Sequence, residues 1–160
     1  MRRLVLSTFL VSGYFWGGLG ISFAADFVGP ETCKSCHQEA YEAWSQSQHA
    51  RAKQSLSATE RTDPRCTSCH SPNESDRHVE NVSCESCHGG GEHYAVDYVM
   101  RDAELARLVG MQDSTDKTCR TCHDASSPSL SGFNYPEKLK LIDHWSAHGL
   151  MQTPKKKSQP

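Results

Sequence analysis

Cys33-Lys34-Ser35-Cys36-His37 sets a five-residue pattern that returns as Cys66-Thr67-Ser68-Cys69-His70, Cys84-Glu85-Ser86-Cys87-His88 and Cys119-Arg120-Thr121-Cys122-His123. C-x-x-C-H is the attachment sequence of c-type haem. The two thiols take the vinyl groups of one porphyrin, and the adjacent imidazole, on the same short turn, meets the iron from the proximal side. The pentads use all eight cysteines of the chain. The pattern therefore predicts four covalent c-type haems, with His37, His70, His88 and His123 as proximal iron ligands.

Two other uses of cysteine compete with this reading. Cys66, Cys69, Cys84 and Cys87 have a spacing that suits a zinc ribbon, and eight cysteines in an exported chain can form four disulfides. Neither accounts for a histidine after the second cysteine of every pair.

The N-terminus points to export. Arg2 and Arg3 precede a stretch from Leu4 to Phe23 without a charge, and small residues at Ser22 and Ala24 suit cleavage near Ala24 or Ala25. Residues 1–24 are read as a signal peptide, and 25–152 as one cytochrome domain. An uncleaved segment would instead be a membrane anchor. The expected location is periplasmic or extracellular, where covalent haem attachment takes place in bacteria.

Loss of the signal leaves about 135 residues, the length of one small domain. With 36% hydrophobic residues over the whole chain, a protein-only core would be thin. The expected fold is mostly α with long loops, wrapped on haem as its core, with little or no sheet. Stability would then depend on the cofactors, as in small metal domains.

Charge adds little. The 17 basic and 19 acidic residues become 15 and 19 without Arg2 and Arg3. Lys155-Lys156-Lys157 belongs to a basic tail, 153–160, read as solvated and disordered. No basic patch interleaved with aromatics points to nucleic acid.

Three helices are expected. Gln38 to Leu56 is free of Gly and Pro, with Ala40, Tyr41 and Trp44 on one side. Asp102 caps a run to Val109 that Gly110 stops, and Pro136 precedes a run from Glu137 to His148 that Gly149 ends. Arg61 to Val82 and Asp124 to Asn134 are rich in Pro, Ser, Asn and Asp and read as loops over haem edges.

Five further histidines, His49, His78, His93, His144 and His148, are candidates for the distal face of an iron. On one continuous helix His49 lies about 18 Å along the axis from His37, so it must serve a haem attached elsewhere. His93 follows His88 by five residues across Gly89-Gly90-Gly91, too short a path around a porphyrin edge; it too must reach another haem. His144 and His148 share a helix face, and His144 is preferred because His148 abuts Gly149. His78, in a polar loop, stays open as a ligand, as does His148. Met100, Met111 and Met151 are the remaining axial candidates.

Phe27-Val28-Gly29-Pro30-Glu31-Thr32, Ala43-Trp44 and His49-Ala50-Arg51-Ala52, with Val82 to Gly89 and Tyr135-Pro136-Glu137-Lys138 through Ile142-Asp143-His144, carry a likeness. On these residues the chain resembles the tetrahaem cytochrome c-554 family, which includes the partner of hydroxylamine oxidoreductase in ammonia oxidisers. The resemblance implies three bis-histidine haems and a five-coordinate second haem, packed as near-parallel pairs. By position it puts His49 on the third haem, His93 on the first and His144 on the fourth. His78, just after the second motif, departs from that pattern and leaves the openness of the second haem undecided.

The expected function is electron transfer between redox protein partners, with low-potential haems where both axial ligands are imidazole. Two alternatives stand beside this carrier reading. One is a small enzyme reducing a nitrogen oxide at an open second haem; the other is a subunit of a cytochrome filament, an oligomer with a ligand donated by the next copy.

Overall fold

The structure is a computed structural model that describes residues 25–74, 78–124 and 132–144. The expected signal peptide, the basic tail, His148 and Met151 lie outside these residues. Among the described residues the architecture is short helices joined by loops, without a sheet; an isolated antiparallel bridge pairs Asn73 with Val79.

Each attachment pentad meets a short helix. Helix α1, Pro30–Lys34, starts with a proline at its N-terminus, after Gly29 at φ 81. Helix α2, Gln38–Ser45, comes next, and here the structure corrects the sequence expectation. The helix does not continue to Leu56. Ser45 Oγ donates to Glu42 O, Ser47 N to Trp44 O, and Ser47 Oγ accepts from Ala50 N, so local hydroxyl bonds compete with the helical ladder. The chain resumes as a 3₁₀ segment, His49–Ser55, kinked at Arg51.

The stretch expected as loop from Arg61 contains a second correction. Helix α3, Pro64–His70, forms there, with Pro64 in its first turn and Asp63 Oδ1 accepting from Arg65 N at 2.9 Å. Pro and Asp act here as a helix start rather than as breakers. Helix α4, Cys84–His88, has a Ser83/Ser86 capping box and stops at Gly89, φ 79. Helix α5 spans Asp97–Met100 and α6 spans Ala103–Leu108. Asp102 caps α6 by accepting from Glu104 N and Leu105 N, as expected. Helix α7 is Asp116–Cys119, with a Thr115/Thr118 capping box. Helix α8, Tyr135–Ile142, begins two residues before Glu137. It also ends earlier than expected, because Asp143 is extended.

The apolar core is small. Tyr94, Val99 and Ala106 are its buried centre, with Leu105, Val109, Met100 and Met111 packed on it. Met100 and Met111 therefore serve as packing side chains. Leu56 and Val79 are the other buried hydrophobics among the described residues. Few side chains hold this fold, in keeping with the thin core expected from composition.

Candidate haem sites

One helical turn places the two cysteines of each pentad at i and i+3, with the histidine at i+4, on one side of the backbone. The helices then bring the pentads together. Helices α1 and α4 pack on each other, and the Cys33 and Cys84 thiols hydrogen-bond across the contact. That bond holds the Cys84 thiol far above the usual thiol range and Cys33 below it. Burial raises Cys87, with a smaller contribution from the nearby Cys119. Burial and then contact with Cys69 push the Cys122 thiol up to about 11. The pentads thus lie in the spatial order first, third, fourth, second. Among the described residues no cluster of three His, Cys, Asp or Glu side chains forms a metal-ion cage.

The imidazoles form two close pairs. His88 and His144 have ring centroids 6.3 Å apart, and His49 and His123 have centroids 6.0 Å apart. Two imidazoles facing one first-row metal ion at about 2.0–2.1 Å each have centroids about 6 Å apart. Burial is the main cause that lowers the pKa of His37, His49, His88 and His123, which favours the neutral, metal-binding form.

Several rings are also aimed. Nδ1 of His88 lies 3.0 Å from Gln112 O, and Nδ1 of His144 lies 2.9 Å from Ile142 O. Nδ1 of His70 lies 2.9 Å from Ala52 O and 3.1 Å from Ser55 Oγ. With Nδ1–H donating to the carbonyl, the lone pair of Nε2 is left free for a metal. His123 is oriented differently: its ring stacks on Phe133 with centroids 4.7 Å apart, and its buried Nδ1 has no hydrogen-bond partner.

The ring contacts pair the distal candidates differently from the resemblance. His49 sits beside His123 of the fourth motif, not beside the third, because the break after Ser45 redirects the chain. Its segment is fixed by Val82 N donating to His49 O at 3.2 Å and Asn81 Oδ1 accepting from Lys53 N at 3.0 Å. Trp44 Nε1 donates to Val82 O at 2.9 Å and supports the same corner. His144 sits beside His88 of the third motif, not beside the fourth; it follows Asp143, where the chain is extended past the end of α8. His93 is half exposed, with Nε2 3.7 Å from Glu92 Oε2. Its loop is laced to the segment before the first motif, where Asp26 N donates to Glu92 Oε2 and Glu92 N to Asp26 O. His78 is exposed at φ 56. Among the described residues no second imidazole stacks on His70.

The donor set suits c-type haem: paired thiols, neutral buried imidazoles, aimed Nε2 atoms and inter-ring spacings that admit an iron. The sequence comparisons agree. Residues 32–89 match the family described as "Cytochrome c554 and c-prime". "Cytochrome c-554" of Nitrosomonas europaea is 26% identical over 126 residues, 61% of this chain and 54% of the relative. The match thus spans about half the length of that curated relative. No solved structure matches. Motif, site chemistry and the comparisons all point to a c-type cytochrome. Over residues 32–89 the chain is similar to the cytochrome c554 family.

Proposed function

We propose that this chain is an exported carrier that passes electrons between two redox proteins through four covalent haems. The observation that carries the reading is the spatial order of the attachment pentads. First touches third, third approaches fourth, and fourth touches second, so cofactors bound at all four form one continuous series. Haem supplies the one-electron ferric–ferrous couple; the protein supplies spacing, axial ligands and burial. His88 with His144 and His123 with His49 are the axial pairs of the third and fourth haems, supported by their inter-ring spacing. His93, on the loop tied to Asp26, is taken as the distal ligand of the first haem on the resemblance to the cytochrome c-554 family. Arg2, Arg3 and the uncharged stretch after them support export to the periplasm or cell exterior. Among the described residues no helix is long and apolar enough to cross a membrane.

The intact mass of the mature protein tests the haem count. The expected result is a chain beginning near Ala25 plus four haems; fewer after full maturation, or zinc in their place, refutes the proposal.

A second reading draws on His70, whose ring has no imidazole stacked on it among the described residues. An open second iron would take up carbon monoxide in the reduced protein and admit a nitrogen oxide as substrate. Carbon monoxide uptake without turnover of nitric oxide, nitrite or hydroxylamine leaves the carrier reading in place. Sustained turnover replaces it with the enzyme.

A further inference from the structure

Among the described residues Glu85 is the one large side chain that is almost completely buried, at 2% exposure, and it carries a carboxylate. Its oxygens accept three backbone N–H groups. Oε1 takes Val28 N and Gly91 N at 2.8 Å each, and Oε2 takes Gly29 N at 2.9 Å. These donors come from two separate segments, the approach to the first pentad and the glycine loop after the third. Glu85 itself lies inside the third pentad. A buried carboxylate loses its hydration, and the three N–H bonds offset that loss. An apolar residue would avoid the problem, so packing alone does not explain a carboxylate here.

Local geometry keeps the charge in place. A Cβ on Gly91 would stand 3.0 Å from Glu85 Oε1 and 2.8 Å from Val28 Cγ2; one on Gly90 would stand 2.2 Å from Ala25 O. Only glycine lets the 89–91 loop close over the carboxylate and the 25–29 segment. The charge also reaches both attachments. Behind the thiol–thiol hydrogen bond and burial, the Glu85 carboxylate acts to raise the pKa of Cys33 and of Cys84. Behind burial, it acts the same way on the Tyr94 hydroxyl. Tyr94, 6% exposed, donates to Gly89 O at 2.6 Å and closes the same loop.

We infer that Glu85 is a positioning residue shared by the first and third haems, whose fixed negative charge holds both irons toward the ferric state. The inference rests on haem at the first and third motifs, as proposed above. A buried anion beside two redox centres opposes the extra electron on each, so its removal favours the ferrous form. Burial, charge and hydrogen bonding around a cofactor are the means by which a protein sets its potential.

The test is E85Q in the mature four-haem protein, with the midpoints followed by spectroelectrochemistry. Glutamine keeps the size and part of the N–H contacts and removes the charge. Two of the four midpoints should rise, each corresponding to about a tenfold fall in the ferric-to-ferrous ratio at fixed potential, or about 59 mV for one electron. E85D, which keeps the charge on a shorter stem, should lower the melting temperature and leave those midpoints near wild type. Four unmoved midpoints, or an equal shift of all four, overturn the inference. So does an E85D shift as large as that of E85Q.

Should E85Q fail to mature, wild-type protein with ¹³C-carboxyl glutamate answers by redox-difference infrared spectroscopy. A labelled carboxylate band that moves on reduction of two haems supports the inference, and a silent carboxylate region overturns it. Missing haem at the first or third motif would appear in the intact mass and refute the haem-count proposal separately.

Discussion

Replacing His49 by alanine tests the long-range pairing on which the proposed site depends. The ring lies 6.0 Å from that of His123, 74 positions later in the chain (123 less 49). Through an iron between them, His49 closes a loop of that length by a non-covalent link. Treated as a cross-link, a closure of this size constrains the unfolded chain by about 4 kcal/mol at 25 °C. That figure is an upper bound, since the other attachments already shorten the free loop. A water molecule can take the vacant position on the iron and restores none of the chain constraint. The expected outcome is loss of one low-spin haem in four, with a matching high-spin signal in the oxidised spectrum. The melting temperature should fall by roughly 10 °C. Haem content should stay at four, because attachment uses Cys119, Cys122 and His123, which the variant leaves alone. An unchanged number of low-spin haems and an unchanged melting temperature would refute the pairing and return His49 to a packing role.

His144→Ala should have the same spectral effect at the third haem, and the double variant with His49→Ala should convert two haems in four, read by electron paramagnetic resonance. His78→Ala, at an exposed position without a ring contact, should leave the spin states and melting temperature unchanged. Gly90→Ala should cost about 1–3 kcal/mol by thermal melting, because the new Cβ stands 2.2 Å from Ala25 O and backbone has to move. The Asp63 carboxyl is held at about 2, below its ordinary 3.8, mainly by its hydrogen bond from the Arg65 side chain. Its contribution is therefore complete above about pH 4 and is lost as pH falls through 2, the sign for an acid with a depressed folded value. Asp63→Asn should remove that acid step from a pH series of melts and weaken the cap of α3.

Legibility in the sequence tracks the range of each interaction. The attachment pentads are readable because thiols and imidazole act within five residues. The Asp102 cap and the Gly110 stop are equally local, and both stand where the sequence puts them. The Gln38 to Leu56 helix fails as an expectation because absence of Gly and Pro says nothing about Ser45 and Ser47, whose hydroxyls bind backbone and break the ladder. Helix α3 escapes a reading by composition because Asp63 and Pro64 break or start a helix according to the residues after them. The partners that aim the histidines, Gln112 O, Ile142 O and Ala52 O, are backbone carbonyls. Any residue supplies a carbonyl, so no residue type marks them. Glu85 is hidden for the same reason, since its three donors are backbone N–H groups; the run Gly89-Gly90-Gly91 is the single outward sign of a close approach. The axial pairing is the furthest case. Residue type selects histidine as a ligand, but the break after Ser45 and the extended Asp143 select which neighbour each ring meets. Two turns of the backbone thus decide which rings lie together, and residue type marks neither turn.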